Sequence, residues 1–239
     1  MKILVLSSYT VRPENDPDNC IRREDLLSSD AHLEHRIREL SNYSMPAGEM
    51  FTGPLHKQLR RGLKRIREHE RYGETTLDLY FPWYGFRVDR RKIPVSENDR
   101  IVPFDVIPRQ NLKALEYDES GFLESMVALI EGYDLVFSTL RWNDIFLLQR
   151  VFEVERAVTL IFLIARSNGR YVADDVPNVH AVYTADLVGQ IAGVSNYNHQ
   201  GAVLRKLCEV ACHEGFQVFE QIKRDPQRLL EIVITRGAR

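Results

Sequence analysis

Four consecutive apolar residues, Ile3 to Leu6, run directly into Ser7, Ser8, Tyr9 and Thr10. A short run with no polar face suits a strand buried on both sides, as in parallel sheets, and the hydroxyl-rich stretch behind it reads as the loop leaving that strand. Leu77 to Phe81 is a second strand candidate, and Leu135 to Ser138 a further short buried strand. The first ends in Pro82, Trp83, Tyr84, Gly85 and Phe86, the second in Thr139, Leu140, Arg141, Trp142, Asn143 and Asp144. Leu55 to Arg71 and Asn111 to Tyr133 read as helices, the latter broken near Gly121. Strands alternating with helices predict an α/β fold with a mostly parallel sheet and flanking helices, whose ligands sit where strands end.

The chain has 239 residues, 44% of them hydrophobic and 28% charged, which excludes a collagen, a coiled coil and wholesale disorder. That length predicts two domains, residues 1–150 and 151–239. Three cysteines, Cys20, Cys208 and Cys212, do not make a disulfide framework, and no apolar stretch reaches the roughly 18 residues of a membrane span. The expectation is a cytoplasmic protein with no membrane partner, no metal and no cofactor; the residues leave its oligomeric state open.

A net charge of -2 makes no overall case for a nucleic acid, so any such case has to be local. Within Leu55 to Arg71, seven Lys and Arg side chains against Glu68 and Glu70 give +5, which leaves -7 for the rest of the chain. Leu55, Leu59, Leu63 and Ile66 recur at spacings of three and four, so Lys57, Arg60, Arg61, Lys64 and Arg65 share the opposite face of an amphipathic helix. Such a face is either simply solvated or attracts a phosphate backbone.

Beyond residue 150 the pattern reads as three helices, Val154 to Ser167, Ala185 to Ala192 and Asn196 to about Ala211. Two strand-like runs follow, Phe216 to Ile222 and Leu229 to Ile234. Ala185 to Ser195 with Gly201 to Leu207 resembles the helix-turn-helix of winged-helix regulators. That resemblance implies that Asn196, Tyr197, Asn198, His199 and Gln200 read bases in the major groove of double-stranded DNA, while Lys223, Arg224 and Arg228 contact phosphate from a hairpin tip. The same module also serves to dock proteins.

Pro46 to Gly53 ahead of a helix, a strand leading to Tyr84-Gly85, and Val102-Pro-Phe-Asp105 resemble a bacterial family related to the peroxide-stress DNA-binding proteins. That family is similar in turn to the uracil-DNA-glycosylase-like domain of archaeosine tRNA transglycosylases. The likeness covers roughly residues 1–145 and implies an α/β sandwich that binds a nucleobase at the ends of its central strands. Members often carry Cys and Lys just after the first strand, where this chain has Ser7, Ser8 and Tyr9.

Glycosylase chemistry needs a carboxylate or amide to position water and stabilise a cationic sugar, and an aromatic wall to stack the extruded base. Asn15-Asp16-Pro17 resembles the Asp-Pro of the uracil-DNA glycosylase water-activating motif. Asn143 and Asp144 follow another strand, and Tyr9, Tyr84, Phe86 and Trp142 are candidates for stacking. Each has a plainer alternative: Asp16 suits a turn, Asp144 a helix N-cap and Trp142 the core.

Together these features lead to the expectation of a DNA glycosylase that excises a modified or damaged base and leaves an abasic site, in defence against bacteriophage with modified DNA or in repair. The alternative is a winged-helix transcription regulator with a nucleotide-sensing N-terminal domain. A base-exchange or nucleotide-hydrolysing enzyme is a third reading.

Overall fold

The computed structural model describes residues 1–8, 19–83, 86–89, 91–105, 121–153, 155–172, 175–188, 190, 194–196 and 198–236. Its strands are β1 (Lys2–Ser7), β2 (Met45–Pro46), β3 (Thr76–Phe81), β4 (Val95–Ser96), β5 (Arg100–Ile101), β6 (Leu135–Thr139), β7 (Thr159–Ile164) and β8 (Val179–Tyr183). Its helices are α1 (Arg23–Leu26), α2 (Asp30–Glu39), α3 (Ala47–Met50), α4 (Pro54–Arg67), α5 (Phe122–Glu131), α6 (Trp142–Leu147), α7 (Gln149–Phe152), α8 (His199–Glu214), α9 (Gln217–Arg224) and α10 (Arg228–Arg236). Among the described residues, six strands form one sheet in the order β4-β3-β1-β6-β7-β8. The chain divides into two compact units, Met1–Ser8 with Pro54–Asp78 and Ile130–Arg239, and Tyr9–Gly53 with Leu79–Leu129.

The first unit holds the parallel part of the sheet. β1 pairs with β6, β6 with β7 and β7 with β8, all parallel. Every residue of β6 and β7 is buried, which explains why neither shows alternating polarity: both faces of these strands are covered. On one face, Leu59 and Leu63 of α4, Leu204 and Leu207 of α8 and Phe219 of α9 meet around Val5, Leu77 and Phe137. On the other, Phe152 of α7 packs edge-on against Phe162 of β7 at 5.0 Å.

Helices α4 and α8 run side by side in the same direction, with Leu55 beside Gly201, Gly62 beside Arg205, and Arg65 beside Cys212 and His213. The approach is close enough to require glycine. A Cβ on Gly201 would come within 2.5 Å of the Leu55 carbonyl oxygen, and one on Gly62 within 2.9 Å of the Arg205 Cα. Leu59, Leu63 and Ile66 of α4 are buried while Lys57, Arg60, Arg61, Lys64 and Arg65 are exposed, as the spacing predicts.

The second unit is organised around aromatic rings. Phe51 meets Phe81 at 4.6 Å, and Trp83, Phe86 and Phe104 lie within 5.1–5.3 Å of one another. Beside them the buried guanidinium of Arg87 is held by Asp89 at 2.7 Å and Asp99 at 2.6 Å. The ion pairing holds the Asp89 carboxyl well below the usual carboxylate range despite some desolvation.

The C-terminal third departs from the expected winged helix. Thr159–Ile164, expected inside a helix, is a strand at the heart of the sheet, and Val179–Tyr183 adds the next one. Of the expected second helix, Thr184–Leu187 is a 3₁₀ turn and Gly189, Ile191 and Ala192 lie outside the described residues; the third begins at His199. The two expected hairpin strands are helices α9 and α10: Val218, Phe219 and Ile222, then Leu229, Ile232 and Val233, are buried at helical spacings. No hairpin forms there, and a boundary at residue 150 would separate β6 from its neighbour β7. Among the described residues, no helix is long and apolar enough to cross a membrane.

Candidate functional site

Parallel pairing with Leu6 opposite Ser138 and Ser7 opposite Thr139 brings β1 and β6 to an end at the same level. The last residues of both strands are hydroxylated and fully buried: Ser7, Ser138 and Thr139 are all 0% exposed. One residue further, the Ser8 hydroxyl accepts the Arg141 backbone N–H at 2.8 Å and donates to the Asp144 carboxylate. Ser8 is 4% exposed and Asp144 7%, so this contact lies in a largely desolvated environment, where a charge-assisted hydrogen bond is strong.

His56, in the first turn of α4, completes the cluster with Nε2 3.2 Å from the Ser7 Oγ. Burial pushes its pKa down to about 3, and the positive charges of Arg141 and Arg60 push the same way, against a backbone hydrogen bond at Ser8. The imidazole is therefore neutral near pH 7, with one nitrogen a donor and the other an acceptor. His56 on Ser7 and Asp144 on Ser8 are thus two buried polar pairs at adjacent positions of this edge, and the carboxylate is the group of the four suited to accept a proton.

The neighbouring strand ends extend this edge. After β8, Thr184 Oγ1 lies 2.7 Å from Nδ1 of the buried His199, whose pKa burial also lowers. Arg166 lies 5.0 Å over the Tyr183 ring and is paired with Asp186 at 2.7 Å. After β7, Tyr171 stacks against Trp142, with centroids 5.7 Å apart and planes at 25°, and the Arg170 guanidinium lies 4.9 Å over the Tyr171 ring.

Of the residues singled out from sequence, Asp144 and Trp142 stand at this edge, with Asn143 half-buried between them. Asp144 is not the N-cap of α6, a position held by Arg141, and Trp142 is not core but 48% exposed. Tyr9, Asp16, Tyr84 and Tyr197 lie outside the described residues. Phe86 is 4% exposed, its ring enclosed by Trp83 and Phe104, which leaves no face for a base.

The expected base-reading segment is largely committed to the fold. Asn198 accepts the Ser195 N–H at 2.7 Å, His199 is buried on Thr184, and Gln200 donates to the Leu163 carbonyl. Asn196 alone of the described members is exposed. Lys223 and Arg224 end α9, with Lys223 3.9 Å from Asp134, and Arg228 begins α10, so they do not form a wing tip. Sequence reasoning passed over Ser8 and His56. Ser8 carried a signal in its place directly behind the apolar run, and His56 in lying three residues before Leu59 on the buried face of α4.

No family, no curated protein and no solved structure matches the chain.

Proposed function

We propose that this chain binds a modified or damaged nucleobase of DNA at the carboxyl ends of β1 and β6 and hydrolyses its N-glycosidic bond, as a uracil-DNA-glycosylase-like α/β domain would. The observation that supports this most is the buried Ser8–Asp144 hydrogen bond at paired parallel strand ends, with the half-exposed Trp142 two residues before Asp144 on α6. Open α/β sheets bind ligands at such ends. In the reaction, the C1′–N bond breaks with its electron pair leaving on the base. The carboxylate of Asp144, oriented by Ser8, stabilises the positive charge that develops on the sugar. Water then adds its oxygen to C1′ and gives a proton to Asp144. Asp144 returns that proton to the departing base, directly or through water, which restores the carboxylate and leaves a free base and an abasic site.

The exposed cations of α4 are suited to the phosphate backbone. The reading of double-stranded DNA through a wing, and with it the lean toward bacteriophage DNA, loses the module on which it rested. The test is incubation with unmodified and modified DNA followed by alkali, which cleaves at abasic sites. Strand breaks confined to modified DNA are expected, reduced roughly 10²-fold by Asp144→Asn and less by Ser8→Ala, with DNA affinity nearly unchanged. Base binding without strand breaks on any modified DNA would instead mark a nucleotide sensor.

A further inference from the structure

Next to the Ser8–Asp144 pair the molecule exposes more aromatic surface than its fold requires. Trp142 is 48% and Phe146 59% exposed. They stand four residues apart on α6 and so share one face of that helix. The fold does not bury this face, and Tyr171 backs it by stacking on Trp142. Around the rings stand exposed cations: Arg170 over Tyr171, Arg166 over Tyr183, and Arg141 at the N-cap of the same helix. Asp186 is paired with Arg166.

Aromatic rings and arginine also mark protein docking faces, so it is the positive sign of the charges beside these rings that selects a polyanion. Flat rings interleaved with guanidinium groups match a chain of alternating π-faces and negative charges. We propose that Trp142 and Phe146, the former backed by Tyr171 and flanked by Arg166 and Arg170, form a stacking platform for unpaired bases, so that the protein takes a single DNA strand rather than a closed duplex. Bases of the strand lie on the rings, and the arginines meet its phosphates. The nucleotide beside them is led to Asp144, two residues from Trp142 on α6, and to its partner Ser8. The choice of DNA as the polyanion rests on the base-excision reading above; the platform itself does not require catalysis.

The chain's two tryptophans make the test specific, because Trp83 is fully buried and Trp142 is not. The full chain is titrated with an unmodified mixed-sequence strand of about 20 nucleotides, longer than one binding site, and with its duplex, while tryptophan emission and anisotropy of a labelled strand are followed. The single strand is expected to bind at least about tenfold more tightly than the duplex and to quench emission. Trp142→Phe should keep most of the affinity and lose the quench, and Trp142→Ala or Phe146→Ala should weaken single-strand binding roughly 10- to 100-fold. Trp83 emission in the Trp142→Ala protein reports that the fold is intact.

Equal affinity for duplex and single strand, binding without a quench, or an unchanged affinity in Trp142→Ala would each overturn the proposal. So would self-association abolished by Trp142→Ala in a protein that binds no DNA. Because the strand is unmodified, a failure of base release leaves these readouts untouched, and the two ideas fall separately.

Discussion

Ser8 owes its contact with Asp144 to two features of one short segment: Arg141 offers its backbone N–H to the serine oxygen, and α6 starts one residue later, carrying Asp144 to the hydroxyl. His56 offers a test of this end of the sheet that does not depend on any reaction. An imidazole that titrates near 6.5 in the unfolded chain and near 3 in the folded one takes up its proton only on unfolding across that interval. The unfolded state then binds the extra proton, so stability is fully retained above about pH 6.5 and falls by about 1.4 kcal/mol per pH unit below it. Urea unfolding of the wild type and of His56→Gln between pH 7 and pH 5 measures the difference directly. The wild type should lose more stability than the variant over that range, and parallel pH profiles would show that His56 titrates normally in the folded protein.

Helix α4 combines two tasks on opposite faces. Its buried face holds His56 and packs against α8 closely enough to need Gly62 and Gly201, while its exposed face is a run of cations with Lys64 and Glu68 as a pair at 3.7 Å. Because the cations touch nothing in the core, changing Lys57, Arg60, Arg61 and Lys64 together to Glu should leave the far-ultraviolet circular dichroism intact. DNA affinity should fall at least about tenfold, and the slope of log affinity against log salt should flatten by up to about 3. Unchanged affinity at low salt would return the helix to the role of a solvated face. Its periodicity was legible because one face is polar. Helices α9 and α10 were not, since runs such as Val218-Phe219 and Leu229-Leu230 satisfy a strand as readily as a helix until a neighbour shows which residues are covered.

At the scale of the molecule, the sheet joins chain segments far apart in sequence. β1 pairs with β6 across more than half the chain, and β7 and β8 continue the same layer. Residues 151–239 expressed alone therefore lack the strand against which β7 forms its ladder and the α4 face against which α8 packs. They are expected to remain unfolded, with poorly dispersed amide resonances and no cooperative melting. A cooperative transition in that fragment would show that the sheet is not what holds these helices.

The sequence alone determined that the chain is α/β with a mostly parallel sheet, that Ile3–Leu6 and Leu135–Ser138 are strands of it, and that hydroxylated residues end them. Those conclusions follow from local physics, because apolar runs and hydroxyls betray burial whatever their partners. Asp144 and Trp142 were legible for the same reason, standing just beyond a strand. Whether Thr159–Ile164 is a helix or a strand, and whether residues 216–234 are a hairpin or two helices, was decided by tertiary packing. A six-residue run buried on every side has no polar face to report its period, so only the neighbouring β6 and β8 give it one conformation. The partnership of Ser8 with Asp144, 136 residues away, and of Ser7 with His56, 49 residues away, likewise exists only once parallel strands end at one level and α4 lies beside them.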